Sequence, residues 1–284
     1  RGSVALAGAL DEALSGAIDG AALVVDGQAI PLHRAPDLSA LDLRGVDVVM
    51  ECTGRADSRA VAARGMQAGA RRVLISGPSA AAEVTVVLGA NDAALGSQAI
   101  VSNASCTTNA LAPLVRVLHR DWGVVTGSMT TIHCYTGSQP AVDAPAADFA
   151  RSRAAALSMV PTTTSASRLL DVVLPEMAGR IEGSAVRVPV ASVSCVDLAV
   201  MTARPATVEA VNAAFHAAAQ FAGSVVGVTD RALVSTDLRA RPESIVMATP
   251  ETRVTAGGML RVFGWYDNEW GFSNRMLDVA LRMA

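Results

Sequence analysis

The chain has 284 residues, 51% of them hydrophobic, enough to bury one large core or two ordinary ones. A formal net charge of -3 and a pI near 5.8 argue against a nucleic-acid or polyanion binder. No apolar run approaches the roughly 20 residues of a membrane helix, so no membrane association is expected.

All the basic side chains are Arg, a choice without consequence on solvated faces but one that supplies a bidentate fork at a phosphate site. Cys52, Cys106, Cys134 and Cys195 are far apart and lack CxxC spacing, which suits the reduced thiols of a cytoplasmic protein. The chain opens at Arg1 with no Met and no targeting segment, and reads as an internal start or a processed fragment.

Residues 4–20 show no clean period and receive no assignment. Ala22-Leu23-Val24-Val25, Asp26-Gly27 and Gln28-Ala29-Ile30 predict a hairpin, because Asp-Gly suits a type I′ turn. Residues 46–51 form an apolar run of strand length, ended by Cys52-Thr53-Gly54. A helix is predicted over 58–68, stopped by Gly69, and the next strand over 72–76, with Gly77-Pro78 as its breaker. This βαβ unit predicts a parallel sheet, extended by 84–88 and 99–101. A helix follows over about 107–120, with Leu111, Leu114, Val115 and Leu118 on one face. Long strand-like runs at 126–132 and 186–202 flank a polar loop over 137–158. Another helix spans 207–221 behind a Thr207 N-cap, and a last one begins after Gly271. The fold class is therefore α/β: a parallel sheet, then an α+β region with a mixed or antiparallel sheet.

Two segments carry the chemistry. Cys106, in Ser105-Cys106-Thr107-Thr108-Asn109, stands where a helix begins. Backbone N–H groups and the helix dipole there favour a thiolate, the nucleophilic form. His133 ends a strand-like run, and within reach of the thiol it could pair with the thiolate and accept a proton from an intermediate. Cys52, Cys134 and Cys195 lie in apolar runs and read as structural. His33, His119 and His216 have no such context. Thr53, Gly54 and Ser76 terminate consecutive parallel strands, the edge where nucleotides lie in open α/β sheets, although ordinary strand-end capping explains Thr53 and Ser76 equally well.

Ser102-Asn103-Ala104-Ser105-Cys106-Thr107-Thr108-Asn109, Thr131-Ile132-His133-Cys134-Tyr135-Thr136 and Trp265-Tyr266-Asp267-Asn268-Glu269-Trp270-Gly271-Phe272-Ser273-Asn274-Arg275 together resemble the phosphorylating glyceraldehyde-3-phosphate dehydrogenase family, which includes erythrose-4-phosphate dehydrogenase. The resemblance runs from about Asp26 to the C-terminus. It implies a truncated Rossmann-type domain over 1–105, a catalytic domain over 106–267, and a C-terminal helix, 268–284, returning to the first. It implies an NAD- or NADP-dependent oxidoreductase of glycolysis that converts glyceraldehyde 3-phosphate to 1,3-bisphosphoglycerate through a cysteine thioester. Cys106 and His133 would be catalytic. Ser105, Thr107, Thr136, Arg151, Thr164, Ser165 and Arg187 would bind the substrate phosphate or inorganic phosphate; Thr53, Gly54, Ser76 and Asn268 would bind the cofactor. No metal is implied. A homotetramer is, with the 137–158 loop against a neighbour's cofactor.

Ser165 stands where the family usually has Gly, Phe272 replaces its usual Tyr, and Ser244-Ile245-Val246-Met247 lacks the acidic residue that the family places near it. The family's opening GxGxxG unit needs about 30 residues, and the residues before Asp26 are too few for it. The sequence therefore reads as a fragment of a working enzyme. The alternatives are an erythrose-4-phosphate dehydrogenase, or a non-catalytic homologue that binds a phosphorylated metabolite or a partner.

Overall fold

The computed structural model describes residues 18–19, 22–25, 27–33, 35 and 37–284. Among these, β1 (Ile18–Asp19), β2 (Ala22–Val25) and β3 (Gln28–Pro31) form a small antiparallel sheet. The predicted hairpin is present, with Val25 opposite Gln28 and Gly27 at φ +77°. Asp26 and most of the unassigned 4–20 stretch lie outside the described residues.

The second sheet is parallel. β4 (Val48–Glu51) leads through α1 (Arg59–Ala62) and α2 (Arg64–Gln67) to β5 (Arg72–Ile75), followed by β6 (Val84–Thr85) and β7 (Ile100–Ser102). The strand order is β4-β5-β7-β6, and every pairing is parallel. The single helix expected over 58–68 is two short ones that meet at Ala63. Ser58 caps the first, and Gly69, at φ +111°, ends the second. A side chain at Gly65 would press on Val49, so the helix approaches the sheet at its glycine.

From β7 the chain enters α3 (Cys106–Trp122). Leu111, Leu114, Val115 and Leu118 are fully buried, as their spacing predicts. Pro113 sits inside this helix and removes one N–H, leaving the Asn109 carbonyl without its helical donor. The large sheet follows: β8 (Val124–Cys134), β9 (Val160–Thr162), then α4 (Ala166–Val173), β10 (Ile181–Val188) and β11 (Ser194–Thr202). The single run expected over 186–202 is divided. Pro189 cannot donate to a ladder, and Val193 adopts φ +68°, so the chain turns between β10 and β11.

Next come α5 (Val208–Ala219), capped by Thr207 as predicted, β12 (Val226–Thr229), β13 (Ile245–Ala248), β14 (Arg253–Val254), β15 (Leu260–Tyr266) and α6 (Trp270–Met283). The order is β12-β13-β15-β11-β8-β10-β9, with β14 on β15. β8 pairs parallel with β10 and antiparallel with β11, giving the mixed sheet that was expected. One face of this sheet packs on α3, in a core that includes Met129, Val196, Leu198, Val262 and Tyr266. The last helix packs on β4 and β5, and Arg72 donates to the Met283 carbonyl at 2.8 Å. The fold is thus α/β, with a parallel sheet joined to a mixed sheet through α3 and α6.

Leu114 makes no contact with solvent and belongs to the core cluster that also takes in residues of both sheets. Leu114→Ala should lower unfolding free energy by about 2–5 kcal/mol, read as a drop in denaturant midpoint.

Candidate active site

The loop between β7 and α3 is held from three directions. Ser102 Oγ donates to the Gly77 carbonyl at 2.8 Å and accepts from Ala104 N–H at 3.1 Å. Asn103 N–H reaches the Ile75 carbonyl at 3.0 Å, which fastens the loop to the end of β5. The Asn109 NH2 group donates to the Asn103 and Ser105 carbonyls at 2.7 and 3.1 Å. Ala104 is driven to φ +56°, an uncommon conformation for a residue with a side chain, and so delivers Ser105 to the N-cap. Ser105 Oγ accepts from Thr108 N–H at 3.1 Å and lies 2.7 Å from Thr108 Oγ1. Cys106 is then the first helical residue, next to the carboxyl ends of β5 and β7.

Alternation along β8 turns Thr131 and His133 inward, while Ile132 faces outward. His133 Nε2 lies 3.7 Å from Cys106 Sγ. Arg187 is the β10 residue directly paired with His133, and its Nη1 sits 2.5 Å from His133 Nδ1 and 3.1 Å from the Cys134 carbonyl. The same Nδ1 lies 2.7 Å from the Cys134 carbonyl. Those two contacts select opposite tautomers: an N–H on Nδ1 suits the carbonyl, a lone pair suits the guanidinium.

Burial pushes the His133 pKa down from 6.5 to about 4, and Arg187 adds to the effect, so the ring is neutral at pH 7. Burial also raises the Cys106 thiol above its usual range, opposed by hydrogen bonds from the Thr107 hydroxyl and N–H and by the charge of Arg187. The helix start lowers the pKa as anticipated, but desolvation is larger. Both shifts oppose the thiolate–imidazolium pair in the free site.

Arg187 and Arg151 line one cavity of about 150 Å³ together with Ser138, Gln139, Val160, Thr162 and Thr163. Arg151 bonds Thr163 Oγ1 at 2.9 Å and lies 3.3 Å from the Asp148 carboxylate. Thr136 borders this group, its Oγ1 2.8 Å from Ser138 Oγ and its N–H 3.3 Å from Gln139 Oε1. Gln139 Nε2 is buried without a hydrogen-bond partner among the described residues, in a cavity wall that it shares with two arginines. Thr164 and Ser165 instead begin α4: Thr164 Oγ1 accepts from Ala166 N–H at 3.1 Å, and Ser165 is the N-cap residue. The Thr107 side chain points inward, 2.9 Å from the Tyr266 hydroxyl.

On the cofactor side, Thr53 spends its hydroxyl and N–H on Glu51 Oε1, at 2.5 and 3.0 Å. Gly54 has φ +72° and open space above it. Ser76 extends the ladder through its N–H to the Glu51 carbonyl. Asn268 Oδ1 accepts from Ser194 Oγ and Cys134 Sγ, each at 3.1 Å, so its NH2 is the half of the amide that can donate outward. Asp267 holds the turn beneath it by accepting from the N–H groups of Ala240, Glu269 and Trp270 at 2.9, 3.1 and 2.9 Å. Ser138, Gln139, Thr163, Ser194, Asp267 and Tyr266 were not singled out from sequence. Only Tyr266 and Asp267 lay in a quoted motif.

His216 forms an exposed pair with Asp230, at 2.9 Å. Among the described residues, no group of three or more His, Cys, Asp or Glu side chains is placed to hold a metal, and no helix is long and apolar enough to cross a membrane.

The fold and site define an α/β protein built around a helix-start cysteine, a neutral histidine and a cavity lined by two arginines. The family model described as glyceraldehyde 3-phosphate dehydrogenase, C-terminal domain, matches residues 105–268. The chain is 50% identical over 242 residues to a glyceraldehyde-3-phosphate dehydrogenase of Cereibacter sphaeroides, covering 84% of this chain and 72% of that protein. It is 43% identical over 284 residues to one of Geobacillus stearothermophilus, covering 98% and 84%. The chain belongs to the glyceraldehyde-3-phosphate dehydrogenase family, an oxidoreductase family that uses a nicotinamide cofactor.

The His133 shift has a consequence for stability. A folded-state pKa of about 4 against 6.5 means that the unfolded chain binds more protons between those values. Stability should fall as pH drops through that window, by on the order of 3 kcal/mol from this group alone. Denaturation curves should show a flatter acid slope for His133→Asn than for the parent; equal slopes would remove His133 as the cause.

Proposed function

We propose that this chain oxidises glyceraldehyde 3-phosphate to 1,3-bisphosphoglycerate, with Cys106 as nucleophile and His133 as general base. The observation that carries this reading is the approach of Cys106 Sγ to His133 Nε2 at 3.7 Å, beside a cavity that contains two arginines. His133 Nε2 takes the Cys106 thiol proton as the sulfur adds to the aldehyde carbon, and returns it to the oxyanion to form a hemithioacetal. N–H groups at the start of α3 face the developing oxyanion. His133 Nε2 takes the hydroxyl proton as the carbonyl re-forms. A bound nicotinamide supplies the hydride acceptor for this oxidation. The thioester on Cys106 is then attacked by inorganic phosphate, which releases the acyl phosphate and returns the thiolate.

Arg187 couples binding to this chemistry. Drawn onto a substrate phosphate, its guanidinium leaves His133 Nδ1, which can then donate to the Cys134 carbonyl. Nε2 is left with its lone pair toward the sulfur, the form a base requires. The anion cavity with Arg187, Arg151, Thr136 and the unpartnered Gln139 Nε2 suits the phosphates, with Ser105, Thr164 and Ser165 at adjoining helix starts. Asn268 would hold the nicotinamide carboxamide of NAD or NADP through its NH2, and Thr53, Gly54 and Ser76 would border the dinucleotide. In this reading residues 1–105 belong to the dinucleotide-binding domain and 106–267 to the catalytic domain, with 268–284 returning to the first. The exposed Val142, Phe149 and Leu157 of the 137–158 loop support a homotetramer, in which a neighbour covers them. A cytoplasmic location goes with this reading and with four cysteines that form no disulfide.

Calorimetric titration of NAD and NADP, followed by an assay of reduced nicotinamide, tests the reading. Turnover should require inorganic phosphate, fall to background in Cys106→Ala, and drop about 10²–10⁴-fold in His133→Asn. Phosphate-independent release of a free acid would point to the erythrose-4-phosphate type of reaction. A folded chain that takes up the phosphorylated aldehyde but no dinucleotide would be a binding homologue.

A further inference from the structure

Three strands of the mixed sheet end side by side, and a few polar groups join their ends. Cys134 is the last residue of β8, Ser194 is the first of β11, and Asn268 lies just past the end of β15. Cys134 and Ser194 are each 1% exposed, and Asn268 is partly buried. Cys134 N–H donates to Ser194 Oγ at 3.1 Å. The Ser194 hydroxyl and the Cys134 thiol in turn both donate to Asn268 Oδ1, each at 3.1 Å.

Hydrogen counting explains why the Asn268 amide sits this way round. Cys134 N–H satisfies Ser194 Oγ as an acceptor, which leaves the hydroxyl hydrogen to point at Asn268. The thiol also carries a hydrogen, because burial pushes the Cys134 pKa up to about 11. With Oδ1 inward, its two lone pairs take both hydrogens and every group is paired. With the amide turned over, its two N–H bonds would face the hydroxyl and the thiol. Both of those hydrogens would lose their acceptor, and the sulfur would be left to accept, which a neutral thiol does weakly. The two ends of an Asn amide have nearly the same shape, so the donors beneath it make the choice. The main chain is held independently, since Asp267 accepts from the N–H groups of Glu269 and Trp270.

We propose that Cys134 and Ser194 are positioning residues that lock the Asn268 amide with its oxygen inward, so that the site offers the cofactor's carboxamide a donor and no acceptor. The inference rests on Asn268 holding the nicotinamide. It gives Cys134 a role beyond the structural one that its apolar setting predicts. Truncating its side chain leaves in place the backbone carbonyl that meets His133 Nδ1 and Arg187 Nη1.

Infrared spectroscopy of the full chain without ligands reads the thiol directly, through its S–H stretching band. The band removed by Cys134→Ala identifies this thiol among the four cysteines. In Asn268→Ala it should move to the higher frequency of a thiol without an acceptor; an unmoved band would overturn the lock whatever the cofactor does. Calorimetric titration then compares NAD with ADP-ribose, which lacks the nicotinamide. Cys134→Ala and Ser194→Ala should each weaken NAD about tenfold, the scale of one hydrogen bond, and leave ADP-ribose at the parent affinity. Cys134→Ser, which restores a donor, should recover NAD binding. Equal weakening of both ligands would make the two residues purely structural and overturn the proposal. Unchanged NAD affinity in Asn268→Ala, or a parent that takes up neither ligand, would overturn the cofactor reading and the positioning role with it. The band shift tells that failure from a failure of the lock.

Discussion

The register of β8 governs this site. That strand is paired on both sides, parallel with β10 and antiparallel with β11, so it cannot slip by one residue without breaking two ladders. With the register fixed, alternation puts Thr131 and His133 on the face toward α3, and Arg187 beside His133. A slip of one would exchange His133 for Ile132 or Cys134 and carry every inward group out of reach. The 3.7 Å approach of His133 to Cys106 follows from that pairing together with the seating of α3 on the same face. α3 in turn is placed by the Ser102, Asn103 and Asn109 hydrogen bonds that tie its entry loop to β5 and the Gly77 turn. Cys106 and His133 thus belong to separate elements that share one packed layer.

Within that layer desolvation outweighs every individual charge. It raises the thiol of Cys106, pushes Cys134 up to about 11 and Cys195 up to about 12, and holds His133 neutral. A free site made of neutral thiols and a neutral ring is inexpensive to bury, because no unpaired charge must be desolvated. Reactivity then has to be conferred by what faces the sulfur. The start of α3, the Thr107 hydroxyl and Arg187 all favour the thiolate. Arg187 also touches His133 and lines the cavity that holds Arg151, so one guanidinium connects that cavity with the imidazole and the field at the sulfur.

The parts legible in sequence were those in which local pattern and tertiary position coincide. The α3 stripe, the Thr207 cap, the βαβ unit and the Cys106 helix start each depend on residues a few positions apart, and all appear. The division of 186–202 was missed because the apolar pattern continues through Pro189 and Val193, while the turn depends on one missing N–H and one left-handed residue. Gln139 and Thr163 became visible only when the 137–158 loop folded over Arg187. Tyr266 lay in a quoted motif, yet its importance comes from contacts with Thr131 and Thr107 that no period or spacing reveals. Thr107 shows the same limit. Resemblance places it with the phosphate ligands, and spacing gives no sign that its hydroxyl lies 2.9 Å from that of Tyr266.

The two sheets are coupled at the turn from β15 to α6. Asp267 is buried and accepts three backbone N–H groups there, so the turn cannot relax without leaving a carboxylate unsatisfied in the interior. One residue before it, Tyr266 reaches the hydroxyls behind the nucleophile; one residue after it, Asn268 is held by Ser194 and Cys134. From this turn α6 crosses to β4 and β5, where the Met283 carbonyl accepts from Arg72. A shift of the parallel sheet against α6 therefore bears on Tyr266 and Asn268 together. Asn268, held by Ser194 and Cys134, and Tyr266, held by Thr131 and Thr107, are thus fixed by one turn on either side of Asp267.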